Sequence, residues 1–159
     1  MVKEARIEIL ESQLQDLLLR KTHLMRTLLG NMQAEQQVIE LNDPLSMKGI
    51  LAQRTVLIES LRKFREKLIV LGSHITQVRQ NQEEHTKYSN IGDYLLSLFE
   101  LLGGENPSLI SLREQLLVLM NKIELQNIQN KSLLESRINY HREHNNHHSF
   151  EGAKVRAGL

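Results

Sequence analysis

His141, His144 and His148 stand at intervals of three and four, so a helix would present all three imidazoles on one face. Imidazole is a common ligand for zinc and nickel, and such a face has the spacing for two or three metal bonds. Four of the seven histidines fall between Tyr140 and His148. The set is nonetheless incomplete. Glu143, the nearest acid, points off that face, and the chain has no cysteine to close a tetrahedral site. The neighbouring Asn145 and Asn146 read as a fraying helix end, where a histidinium is favoured by the dipole. No biological metal site is expected here.

Other chemistry fails on motif or spacing. There is no Gly-rich phosphate loop, no HExxH and no GxSxG. Glu83 and Glu84 are adjacent, so a helix points them in different directions and they form no acid–base dyad. Without cysteine there is no thiolate nucleophile and no disulfide scaffold. Arg54 is the one charge on an otherwise apolar stripe. It either pairs with a buried acid such as Glu35 or packs its stem while its head reaches water, and the second is the commoner outcome. Neither enzymatic activity nor a cofactor is expected.

That stripe is the strongest structural signal in the chain. Met47, Ile50, Arg54, Leu57, Leu61, Phe64, Leu68, Leu71, Ile75 and Val78 follow one another at gaps of three and four, the spacing of one helix face. Leu51, Ile58 and Ile69 widen it, and a wide face suits a bundle core better than a two-stranded seam. Asp43 and Pro44 supply an N-cap and a proline at the first helical position. This second helix is expected to organise the fold, with the rest packed against it.

The remaining elements follow from the same pattern. A first helix over about residues 3–41 carries Ile7, Leu10, Leu14, Leu17, Leu24, Leu28 and Val38, broken at Lys21, Asn31 and Glu35. Asn42-Asp43-Pro44 is a short connection, so the two helices should form an antiparallel hairpin. A short apolar helix is expected over residues 91–102. Asn106-Pro107 then opens a long helix with the stripe Leu109, Leu112, Leu116, Leu119 and Ile123. Gln126, Asn127, Gln129 and Asn130 interrupt it before Leu133, Leu134, Ile138 and Tyr140 resume at a shifted phase. The expected fold is all-α: an elongated antiparallel bundle of three to four helices over residues 1–148, with a flexible tail over 149–159.

Composition agrees with that class. Aromatic residues make up 4% of the 159 and there are two prolines, which argues against a sandwich or barrel. No apolar run reaches the ~20 residues that span a bilayer, and the start shows no signal core, so a cytoplasmic protein without membrane insertion is expected. The net charge of +1 gives no case for nucleic acid. Residues 44–88 do carry eight Lys/Arg against four Glu, including Arg62-Lys63-Phe64-Arg65-Glu66-Lys67. That run reads as the solvated face of an amphipathic helix, with Phe64 turned to the core. What remains is surface for a protein partner: if the hairpin stops short of the stripe at Leu133–Tyr140, those residues form a groove for another amphipathic helix.

Two stretches resemble the FlgN-like flagellar export chaperones. The first is Glu35…Asp43…Met47…Leu51…Arg54…Leu57-Ile58…Leu61…Phe64-Arg65-Glu66-Lys67-Leu68. The second is Leu119…Ile123…Asn127…Asn130-Lys131-Ser132-Leu133-Leu134…Ile138. The resemblance would cover most of residues 7–140. The chain departs from the family after the last helix, where His148-Ser149-Phe150-Glu151-Gly152 replaces a Tyr-Asp…Gly segment.

The resemblance implies a cytosolic chaperone of flagellar type III secretion. Its clients would be hook–filament junction (hook-associated) proteins, bound through their C-terminal amphipathic helices, with the export apparatus as a further partner. No nucleotide is implied. Leu133, Leu134, Ile138 and Tyr140 would be the client contacts, with Phe150 and Val155 as secondary anchors in the tail. Asn127 and Asn130 would set helix register or lie on the surface. The alternative is a structural coiled-coil scaffold or adaptor subunit that oligomerises through its helices. Oligomeric state is left open.

Overall fold

A computed structural model describes residues 2–80 and 106–156, with side chains for 4–75, 77–78 and 106–146. Among the described residues the chain is entirely helix apart from the hairpin turn and the Asn106 cap. Helix α1 spans Val2–Leu41, α2 spans Pro44–Gln80 and α3 spans Pro107–Arg156. The fold is an all-α helical bundle. The short helix expected over 91–102 lies outside the described residues.

Both ends of the hairpin turn are closed by local chemistry. Asn42 adopts the left-handed conformation, with φ of 53°. Its amide donates to Ile39 O at 3.2 Å and that of Asp43 donates to Val38 O at 3.1 Å, which together cap the C-terminus of α1. Asp43 then caps α2, its Oδ1 accepting from the Leu45 and Ser46 amides at 3.1 and 3.2 Å. Asn106 repeats the device on α3, accepting from Ser108 and Leu109 at 3.1 and 3.3 Å. Each cap is followed by proline at the first helical position, as the sequence predicts.

The long helix in the middle is α1, not α2. It packs along its length against both α2 and α3, whereas those two touch each other only marginally. The expectation that α2 organises the fold is therefore corrected. All ten positions of its stripe do face inward, from half-buried Met47 to buried Ile75, but Leu51, Ile58 and Ile69 are exposed. The stripe is narrow because α2 has one neighbour along most of its length. In α1 the deepest line runs through Leu10, Leu14, Leu18, Thr22, Met25, Met32 and Ile39, between two neighbours. The expected line through Leu17, Leu24 and Leu28 is half-buried at its side.

Leu14 and Leu18 of α1 meet Leu68, Leu71 and Ile75 of α2 and Leu109, Leu112 and Leu116 of α3 in one apolar cluster. Leu14, Leu18 and Leu68 are fully buried, and each contributes about 2 kcal/mol on transfer from water. Cross-helix bonds fix the directions. Asn31 reaches Ile50 and Gln53, so α1 and α2 are antiparallel. Arg26 reaches Gln115, Gln36 reaches Gln126 and Arg137 reaches Glu40, so α1 and α3 run parallel. Past His141 α3 has no hairpin beside it, and residues 142–156 add about 22 Å of helix. The helical backbone continues through 149–156, where a tail is expected, so no helix end marks the boundary at 148. No proline falls there, and Gly152 alone costs a helix only about 1 kcal/mol.

Candidate partner-binding surface

Toward the hairpin tip the packing between helices turns polar. The Arg54 Nε of α2 donates to Asn31 Oδ1 at 2.9 Å, and its Nη2 stands 2.8 Å from Glu35 Oε2. The two charged side chains are only 18% and 14% exposed. Nη2 makes no well-aligned hydrogen bond, so its pairing with Glu35 is chiefly one of charge. Asn31 Nδ2 donates to Ile50 O and to Gln53 Oε1, each at 3.0 Å.

From the other side, α3 completes the network. Asn130 Nδ2 donates to Met32 O and to Glu35 Oε2, both at 2.7 Å. Gln126 Nε2 donates to Gln36 Oε1 at 2.7 Å and Asn130 Oδ1 at 2.8 Å. Both hydrogens of each of these three amide groups are therefore used, as burial requires. The Arg54 head is turned into this network, with Nη2 out of water, because the two polar breaks in α1, Asn31 and Glu35, fall opposite it in register. Asn130 is buried and sets that register, whereas Asn127 is exposed. A buried ion pair with this many directional bonds favours one alignment of three helices more than it adds stability.

The third break in α1 is Lys21, which finds no such partner among the described residues. Burial, together with the nearby Arg65 guanidinium, holds its ammonium below the usual lysine range.

The interruption in the stripe of α3 is chemical, not geometric. Leu119, Ile123, Gln126, Asn130, Leu133 and Arg137 continue at gaps of three and four on the inward side. The expected shift of phase is therefore corrected: the inward line changes from leucine to amide and stays on α1. Arg137 ends it by donating from Nη2 to Glu40 O at 2.8 Å, at the C-terminus of α1.

This leaves Leu134 and Ile138 beside the inward line, 45% and 44% exposed. They form one wall of a cleft of about 220 Å³ at the hairpin tip, faced by Val38, Ile39 and Met47. Of the six site residues expected from sequence, the structure brings these two together. Leu133 is half-buried on the inward line. Tyr140 is 58% exposed and stacks on His144, with ring centres 5.6 Å apart and planes at 15°, while His141 meets its edge at 5.9 Å. Phe150 and Val155 lie on the α3 backbone, and their side chains fall outside the described residues. Met47 and Val38 belong to the cleft but read from sequence only as core. Among the described residues no three His, Asp or Glu side chains are grouped to hold a metal.

No helix among the described residues is long and apolar enough to cross a membrane. No family model matches this chain, and no curated protein or solved structure matches it.

Proposed function

We propose that the chain is a cytosolic export chaperone of flagellar type III secretion, which holds an amphipathic C-terminal helix of a hook–filament junction protein. The observation that carries this reading is the cleft at the hairpin tip. Leu134 and Ile138 stand half out of water there, beside an open apolar wall. An amphipathic helix laid along α3 would bury them and extend the parallel pair of α1 and α3. Its apolar face would be withheld from assembly while it stayed bound. Release needs no nucleotide, since a shallow cleft supports an exchangeable complex.

The test is a pull-down from lysate of a flagellated bacterium, comparing the intact chain with one ending at Tyr140. Recovery of hook-associated proteins by the intact chain and loss on truncation supports the reading and assigns part of the site to the projecting end of α3. Recovery by both keeps the client on the cleft. Recovery of neither overturns it.

A scaffold reading draws on a different observation. The outward face of α3 carries Ile110, Leu117, Leu125 and Ile128, between 38% and 58% exposed. Such a row could pair with another copy, and a stable dimer mass without client would favour it.

A further inference from the structure

The hairpin has a second open surface, on the side of α1 turned away from α3. Two adjoining hollows of about 590 and 620 Å³ share Arg20, Lys63 and Lys67, and so form one continuous trough between α1 and α2. It runs from Ser60 to His74 along α2, about 21 Å or four helical turns. Its floor is apolar, made by Leu17, Leu24, Phe64 and Leu71. Leu19 and Val70 stand at its edges, 49% and 57% exposed.

We infer that this trough receives an acidic amphipathic helix of a partner protein. The length and apolar floor suit a helix laid between two antiparallel helices, where a fourth member of a bundle would lie. Charge selects its chemistry. Arg20, Lys63 and Lys67 are exposed on the rims, and none forms an ion pair among the described residues. Two acids also line the trough, Asp16 and Glu66, and Glu66 shares Arg62 with Glu59, so the three cations keep a net positive excess. A second copy would bring the same basic rims face to face, so this charge disfavours self-pairing. A nucleic acid would find no exposed Phe, Tyr or Trp ring to stack on here, because Phe64 is buried in the floor and the other rings lining the trough are the imidazoles of His23 and His74. This surface is separate from the cleft on α3 and does not depend on the chaperone reading.

The probe is a fluorescent peptide of about 18 residues with leucine at helical spacing and glutamate on both flanks. Its companions are the same design with lysine flanks and a scrambled isomer of the glutamate peptide. Fluorescence anisotropy on the intact chain should show the glutamate peptide binding at least tenfold more tightly than either companion, and less tightly as salt is raised. Lys63→Glu with Lys67→Glu should abolish that preference and transfer it to the lysine peptide, with circular dichroism unchanged. Ile138→Asp should leave it intact. Equal binding of the glutamate peptide and its scrambled isomer, or no binding by either, overturns the inference. So does binding that appears only after Leu98→Asp and Phe99→Asp, which would assign the trough to the chain's own residues 91–102. Loss of the trough to a dimer, seen as doubled mass on sedimentation, overturns it as well.

Discussion

Asn130 of α3 donates to the Glu35 carboxylate of α1 at 2.7 Å, on the same oxygen that faces Arg54 of α2 at 2.8 Å. One oxygen atom therefore ties all three helices together. Glu35→Ala leaves the half-buried guanidinium of Arg54 without its counter-charge and should cost about 3 kcal/mol in urea unfolding. Replacing both Glu35 and Arg54 by leucine should recover most of that loss. Equal losses in the single and the double variant would show that the pair is not what the site needs.

Lys21 predicts a specific pH dependence. Its folded-state pKa is lowered, so the unfolded chain holds this proton more tightly than the folded one. Stability from this group should therefore rise with pH between the lowered value and about 10.5, the lysine reference. Below that window the folded protein carries the full strain of a buried charge. Lys21→Met should raise Tm at pH 7 and flatten the alkaline rise; an unchanged slope in the variant would place its origin elsewhere.

The turn between α1 and α2 offers two opposite substitutions. Asn42→Gly relieves the left-handed strain and should stabilise by about 1 kcal/mol or less. Asp43→Ala removes the acceptor for two amides and should lower Tm. Bonds from Ser46 and Leu45 hold the Asp43 carboxyl below its usual range, chiefly through the Ser46 side chain. Its contribution is thus present above pH 3.8 and lost as pH falls through the lowered value. Thermal melts from pH 2 to 7 should show the two variants diverging most at neutral pH.

Ile138→Asp places a charge in the cleft on a side chain that is 44% exposed in the free protein. On the proposed chaperone function, client affinity should fall about tenfold or more, the scale of one lost anchor, with helix content unchanged. Loss of circular dichroism signal alongside binding would mean that Ile138 supports the fold instead. Titration calorimetry with a junction-protein C-terminal peptide reads the first quantity directly.

What was legible in the sequence was what short-range chemistry decides. Asp43-Pro44 and Asn106-Pro107 announce their helices because a cap acts on amides two or three residues away. The inward faces of α2 and of early α3 were legible for the same reason, since leucine spacing is a local pattern. The order of the layers was not. Counting apolar residues ranks α2 above α1, yet α1 lies in the middle, where two of its polar breaks, Asn31 and Glu35, meet partners on the other two helices. Asn31 and Glu35 looked like flaws in a seam, and Arg54 like a surface arginine, until the alignment of α1 with α2 set them opposite each other. The amides at Gln126 and Asn130 looked like an interruption because their acceptors, Gln36 and Met32, lie 90 and 98 residues away. The exposure of Leu134 and Ile138 follows from their local spacing, but the cleft that joins them to Met47 depends on the hairpin tip and is not legible there.

The central place of α1 also dictates an order of events in folding. Its bonds to α2 join residues 19 to 23 apart, whereas its bonds to α3 join residues 89 to 98 apart. Closing the first loop is the smaller entropic step, so the hairpin can assemble while one flank of α1 is still bare. During that interval Glu35 already has Arg54 but lacks Asn130, and the carbonyl of Met32 has its helical amide but not the second donor that Asn130 supplies. Docking of α3 fills both vacancies at one level of the bundle. An α3 that slid by a turn would leave them open, so the chain carries its own proofreading against a misaligned third helix.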